Sequence, residues 1–250
     1  MSIGALRWIV MVGCGLLLVT AEGRSQNLPF NESFSDGNPT DGVPVKWTPL
    51  GGYANGTFAV SDGNYQLIPN TNEDPLVAVA TPYVTRDASV RSQVRATGPA
   101  DGVSILARLS GPGAYQGGID TDGLAYIGWN DPTYHDLVSV QTPYRPSQHD
   151  VTIQFDVIGS QLNLFVWSGD APRPESPLLS VVDNRYGNTG QIGLLNDPKN
   201  KTAVAFRYVL ASQESIPVPE PSGVVIIMLG GICTSLRLRR QRRHSALLRS

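Results

Sequence analysis

Across the middle of the chain, apolar side chains recur at every second position and are interrupted by turn residues. The clearest stretch runs from Val151 to Val157. Val151, Ile153, Phe155 and Val157 fall on one face, and Thr152, Gln154 and Asp156 fall on the other. A period of two is the mark of a strand with one face toward a core. Ile158-Gly159-Ser160-Gln161 then turns the chain into Leu162–Trp167, which predicts a hairpin. The same alternation predicts strands over 88–96, 103–109, 124–129, 191–195 and 203–210, with weaker ones over 57–60, 64–68 and 76–80. Thr81-Pro82-Tyr83 and Thr142-Pro143-Tyr144 read as strand entries. No segment carries a convincing helical period. The expected fold is therefore all-β, a two-layer antiparallel β-sandwich, with a single-layer barrel as the alternative.

Composition agrees with frequent turns. The 250 residues include 26 glycines and 19 prolines, and Asp-Gly pairs stand at Asp36, Asp41, Asp62, Asp101 and Asp122. Asp-Gly favours tight turns because glycine accepts positive φ and the carboxylate bonds to nearby backbone. Both cysteines, Cys14 and Cys233, lie in the apolar end segments, so the middle can form neither an internal disulfide nor a thiolate metal cage.

The two ends have a different character. Arg7 precedes the apolar run Trp8–Val19, and Ala21-Glu22-Gly23 supplies small residues, the pattern of a secretory signal peptide over 1–25. From Arg24 to Val218 there are 12 Lys or Arg against 19 Asp or Glu, a net of -7; beyond it stand six arginines and one glutamate. An acidic middle argues against a nucleic-acid partner, because phosphate binding needs a positive field. The basic end follows Gly223–Leu236, a mostly apolar segment that reads as a short transmembrane stretch whose arginines stay on the cytoplasmic side. The domain plan is a β-sandwich ectodomain over 27–212, a linker over 213–218, and a tail over 219–243 containing the membrane segment 223–236.

Pro219-Glu220-Pro221, the apolar segment and the arginine cluster together resemble the PEP-CTERM sorting signal. That resemblance implies recognition by an exosortase-like membrane enzyme. It also implies passage from the inner membrane to the cell surface or extracellular matrix. A second resemblance covers about residues 30–212. It is carried by Phe34-Ser35-Asp36-Gly37, Trp47, the run ending at Arg108, the 151–167 hairpin, Gly190-Gln191-Ile192-Gly193-Leu194 and Phe206. In this order they resemble the concanavalin A-like, laminin-G-like jelly-roll group, which implies a sandwich used by lectin-like modules, glycan-binding modules and glycoside hydrolases alike.

Fold of this kind leaves function open, so the side chains must narrow it. A glycosidase needs two carboxylates beside the scissile bond. The only glutamates of the middle are Glu32, Glu73, Glu175 and Glu214, and it lacks the Glu-x-Asp-x-x-Glu spacing of related glucanases. His135 and His149 belong to no metalloprotease motif, and there is no Gly-x-Ser-x-Gly elbow or Walker loop. Sugar binding would use flat aromatics near amides and carboxylates; Tyr115, Tyr126, Trp129, Tyr134 and Trp167 are the candidates, and an extracellular polysaccharide is the matching partner. Asp120 and Asp122 are the candidate calcium ligands, since hard cations take oxygen donors. The expectation is a non-enzymatic surface or matrix protein that binds glycan. The alternatives are a carbohydrate-active hydrolase and a purely structural matrix protein.

Overall fold

The computed structural model describes residues 28–217 apart from Pro112 and Pro132. The expected signal peptide, the Pro219-Glu220-Pro221 motif and the membrane segment lie outside the described residues. No helix among the described residues is long and apolar enough to cross a membrane.

Among the described residues, fifteen strands form two antiparallel sheets. Sheet A contains β1 (Phe30–Glu32), β3 (Gly56–Ser61), β4 (Asn64–Pro69), β6 (Ala88–Ala96), β11 (Val151–Ile158), β12 (Gln161–Ser168), β13 (Leu179–Val182) and β15 (Val204–Ser212). Its order is β13-β12-β11-β6-β15-β4-β3, with β1 added to β15. Sheet B contains β2 (Lys46–Pro49), β5 (Leu76–Thr85), β7 (Ala100–Ser110), β8 (Gly113–Ile119), β9 (Leu124–Asn130), β10 (Tyr134–Gln141) and β14 (Gly190–Pro198). Its order is β10-β9-β8-β7-β14-β5-β2. This is the expected two-layer antiparallel jelly roll.

The period-two residues of both sheets meet in one core. Val151, Ile153, Phe155 and Val157 of β11 join Leu162, Leu164 and Val166 of β12 and Val103, Ile105 and Ala107 of β7. Trp47, Phe34 and Tyr65 pack together at one end, Phe34 and Tyr65 stacked with ring centroids 5.2 Å apart. Full burial of such side chains stabilises by about 1.5–3 kcal/mol each before entropy is counted.

The predicted 151–167 hairpin forms with Ile158 opposite Gln161. Asp62-Gly63 makes the two-residue turn between β3 and β4, with φ of 53° and 70°. Two positive φ values define the turn that matches the twist of a hairpin, and glycine takes one without strain. Asp101-Gly102 is different: it lies inside β7, where Gly102 pairs with Asp197 of β14. Thr81-Pro82-Tyr83 also falls inside a strand, β5, rather than at its entry. The register between β5 and β14 shifts across this stretch, and such an irregularity accommodates a proline that cannot donate to the ladder.

Arg108 fixes the end of β7. It is 3% exposed with φ of 54°, a conformation that a non-glycine residue adopts at a cost. Its guanidinium donates to the carbonyls of Arg86 (2.6 Å) and Tyr186 (2.7 Å) and to the Asp87 carboxylate (3.3 Å). With a further bond to the Gly159 carbonyl, the arginine ties three loops to the rim of sheet B.

Candidate functional site

The outer faces of the two sheets are built from the polar half of the same alternation. On sheet A that half is covered. Arg91 of β6 donates from Nε and Nη2 to Gln154 Oε1 at 2.8 and 2.7 Å, and to the carbonyls of Ile216 and Pro217. Asp156 accepts from Ser89 Oγ (2.5 Å), Gln154 Nε2 (2.9 Å) and Ser215 Oγ (2.5 Å). The Ile216 amide donates to Ser89 Oγ at 3.0 Å. Residues 213–217, the first part of the expected linker, therefore run as a strap along this face. Arg173 lies over Phe165 at 3.7 Å, and Gln93 donates to Asp170, so the loop after β12 covers the rest. Arg91, Gln154 and Asp156 are all buried.

On sheet B the outward positions line two adjoining cavities. One, of about 250 Å³, is walled by aliphatic residues: Val77 of β5, Leu106 and Leu109 of β7, Ala114 of β8 and Leu195 of β14. These residues form a second, smaller apolar cluster, over which Leu50 and Tyr53 of the loop after β2 fold. Backbone bonds from Leu50 N to Val77 O (2.9 Å) and from Val77 N to Tyr53 O (3.0 Å) hold that loop in place. The other cavity, of about 290 Å³, is lined by Asp101, Asp120, Tyr126, Asp136 and Ser139. Gln116, Tyr134 and Asp197 line both. The two form one groove with an aliphatic half and a polar half.

A closed network orients the polar floor. Ser104 Oγ and Tyr126 Oη are 2.6 Å apart. Gln116 Nε2 donates to both, at 3.0 and 3.2 Å, and Gln116 Oε1 accepts from Asn130 Nδ2 at 2.7 Å. Satisfied buried networks are rigid, so Gln116 cannot flip its amide without losing three bonds. Burial holds the Tyr126 phenol protonated well above its ordinary 10. Tyr134 stands edge-on to Tyr126, with centroids 5.5 Å apart, and is 42% exposed at the rim. Its ring lies over Gly128, where a Cβ would strike it. Its hydroxyl donates to Asp136 at 3.2 Å. Asp197 is half-buried. Desolvation, and then the charge of Asp101, raise its carboxyl above the ordinary 3.8.

The five aromatic candidates occupy three places. Tyr126 and Tyr134 line the groove together. Tyr115 points the other way, into the core, where it is 0% exposed and donates to Asp183 at 2.6 Å; burial pushes its phenol up to about 12. Trp129 also faces inward from β9. His135 stacks on it at 4.1 Å and Arg185 lies over it at 4.1 Å, so neighbouring side chains already use its faces. Trp167 lies on the opposite sheet, buried on its outer face with Arg91 5.5 Å from its ring. They form no single platform, because alternation along β8 and β9 sends Tyr115 and Trp129 inward and Tyr126 outward.

Asp120 and Asp122 stand in the turn between β8 and β9. Asp120 Oδ1 accepts from the Leu124 amide at 2.8 Å, and the Asp122 carbonyl accepts from Arg145 Nη1 at 2.6 Å. A guanidinium on that carbonyl puts positive charge into the turn, and calcium needs six to eight oxygens. Among the described residues no three His, Cys, Asp or Glu side chains gather to hold a metal ion. Asp136 and Asp197 were not among the sequence candidates. Asp197 could have been found as the one acidic residue on the polar side of the Gly190–Pro198 strand.

Neither a protein-family model nor a curated protein matches the chain. Solved structures do share its shape. A carbohydrate-binding module from Bacillus subtilis, CBM66, is 15% identical with a TM-score of 0.54, over 66% of this chain and 94% of its own. The β-glucanase of Bacillus licheniformis is 13% identical with a TM-score of 0.54, over 76% of this chain and 100% of its own. The exoplasmic/lumenal domain of VIP36, in its Ca2+/Man3GlcNAc-bound form, is 13% identical with a TM-score of 0.51, over 70% of this chain and 86% of its own. Identities this low show the fold alone: the chain is a jelly-roll β-sandwich, a shape it shares with this carbohydrate-binding module and this β-glucanase.

Proposed function

We propose that this is an exported, non-enzymatic glycan-binding protein whose ligand lies in the groove on the outer face of sheet B. The observation that carries the reading is the contrast of that groove with its surroundings. It is concave, it has a rigid floor of hydroxyl and amide groups, and Tyr134 stands at its rim. Concave sites with a few oriented polar groups among apolar walls are the usual form of small-ligand sites. The polysaccharide-related proteins of similar shape support the same reading. Binding of the purified full chain to a glycan array tests it. Loss of that binding in Tyr134→Ala, with the fold intact, supports the groove; unchanged binding sends the search elsewhere.

The tail completes the proposal. Pro219-Glu220-Pro221, the apolar segment and the arginines are read as a sorting signal for an exosortase-like enzyme, after export directed by residues 1–25. Replacing the three motif residues with alanine in the native host, followed by fractionation, tests this. A variant that fractionates like the parent, both keeping Arg237–Ser250, leaves a plain tail anchor. Calcium at Asp120 and Asp122 would need further oxygens from ligand or solvent, and chelation during a binding assay tests for it.

A second reading, a hydrolase, has one observation in its favour. Asp197, whose carboxyl desolvation raises above its ordinary 3.8, and Asp136 line the same groove. A raised carboxyl is what a general acid requires. Release of reducing ends from any array ligand, abolished in Asp197→Asn, would establish it.

A further inference from the structure

Three adjacent strands of sheet B set two carboxylates on one row with a glycine between them. Asp197 of β14 pairs with Gly102 of β7. On the other side of β7, Val103 lies opposite Ile119 of β8, so the next position of that ladder sets Gly102 opposite Asp120. The row reads Asp197, Gly102, Asp120, and its two ends are two strand spacings apart, about 10 Å between backbones. Gly102 has no side chain to fill the gap. A Cβ there would strike Tyr126 Oη and touch Asp197 Cβ at 3.5 Å. The Tyr126 hydroxyl therefore lies over the glycine, and Asp197, Asp120 and Tyr126 all line the polar cavity.

Two features of this spot point to a ligand. The first is a hydrogen without an acceptor. Ser104 and Tyr126 carry one hydroxyl hydrogen each, and only one of the two fits in the 2.6 Å contact between their oxygens. Gln116 Nε2 meets both hydroxyls, and it does so as a donor. One hydroxyl hydrogen is left over in a network where Ser104 is fully buried and Tyr126 is 7% exposed. A buried donor without an acceptor is costly. When Ser104 donates to Tyr126, the spare hydrogen is the phenol's, at the floor of the cavity. The second feature is charge. Among the described residues no side chain donates to the Asp197 carboxylate. Asp120 uses Oδ1 on the Leu124 amide. Asp101 lines the cavity too, with Lys199 3.3 Å from its carboxylate. Among the described residues no Lys or Arg lines the cavity itself.

Resting on the glycan-binding reading, we propose that the polar half of the groove takes a glycan bearing a free amino group. The ammonium sits above Gly102, between Asp197 and Asp120. The oxygen on the neighbouring sugar carbon accepts the spare hydrogen of Tyr126. A cation beside an acceptor is the pattern that sets this ligand apart. An N-acetylated sugar has lost the charge. An anionic glycan is repelled by the carboxylates. A simple polyamine brings the charge and has no oxygen for Tyr126.

The test titrates the purified full chain, at mildly acidic pH, with β-1,4-linked oligomers of glucosamine, N-acetylglucosamine and glucose, and with spermidine. A chelator is present so that no metal bridges the aspartates. The glucosamine oligomer should bind about tenfold tighter than each of the other three, or better. Added salt should narrow that gap. Asp197→Asn should reduce the preference to about twofold or less, with the fold checked by circular dichroism. Should that variant misfold, Asp120→Asn carries the same expectation. A glucose or N-acetylglucosamine oligomer that binds as tightly as glucosamine overturns the amine assignment while leaving glycan binding standing. Spermidine binding as tightly as the glucosamine oligomer overturns the proposal, because the cation alone would then suffice. Binding to no member of the panel overturns both readings.

Discussion

The two broad faces of the sandwich start from the same kind of sequence and end in opposite states. On sheet A, Ser89, Arg91, Gln154 and Asp156 point outward and are sealed by the strap at 213–217 and the loop after β12. On sheet B, Gln116, Tyr126, Tyr134 and Asp197 line an open groove. Polar alternation alone therefore does not mark a binding face. What separates the two is whether another part of the same chain covers them. Where it does, the polar residues are buried and contribute stability; where it does not, the groove they floor stays open to a ligand.

The largest expected effect lies on the sealed face. Arg91→Ala strands Gln154 Oε1 in a buried setting and frees the strap at Pro217, which should cost about 3 kcal/mol. For a domain of this size that corresponds to a fall in Tm of roughly 10 °C, measurable by circular dichroism, with glycan affinity unchanged. Tyr134→Ala is the mirror experiment. It should leave Tm within about 2 °C and weaken binding about tenfold, or about 1.4 kcal/mol, by titration calorimetry. If Arg91→Ala also weakened binding, the two faces would be coupled and the division between them would fall.

Ser215→Ala sharpens the comparison on a smaller scale. It removes one hydrogen bond to Asp156 and should cost about 1 kcal/mol. Faster amide exchange confined to 213–217 and β11 would show that the strap opens without the domain. Asp197→Asn should have the smallest effect, and it depends on pH. The native state raises the Asp197 carboxyl above 3.8, so it holds that proton more tightly than the unfolded chain does. The resulting stabilisation is full below 3.8 and is lost as pH rises through the raised value. The variant, with nothing to titrate, should be more stable than the parent at neutral pH, and the gap should close in acid.

Much of the fold was legible in the sequence. The 88–96 strand coincides with β6, and the 151–167 hairpin forms in the expected register. Both owe this to unbroken alternation. β8 was not foreseen, because Gly117 and Gly118 blank out two positions of its pattern. A Cβ on Gly117 would collide with Phe155 in the core, so the missing side chain is itself a packing requirement. β1, β2 and β13 have three or four residues each, too few to show a period. β10 opens with Tyr-His-Asp on the edge of sheet B and is mostly exposed, so it carries little apolar signal. The site was harder to read. Tyr126 and Tyr134 were candidates, but the carboxylates Asp136 and Asp197 come from β10 and β14, far apart in sequence. Which aromatics share a face across β8, β9 and β10 depends on the pairing register, which no single strand reveals.

The strap also sets two surfaces back to back. At Pro217 its carbonyl accepts from Arg91 on the outside of sheet A. The groove opens on the outside of sheet B, beyond a core about 10 Å thick. A partner that covered the strap would therefore leave the groove clear, and a ligand in the groove would leave the strap clear.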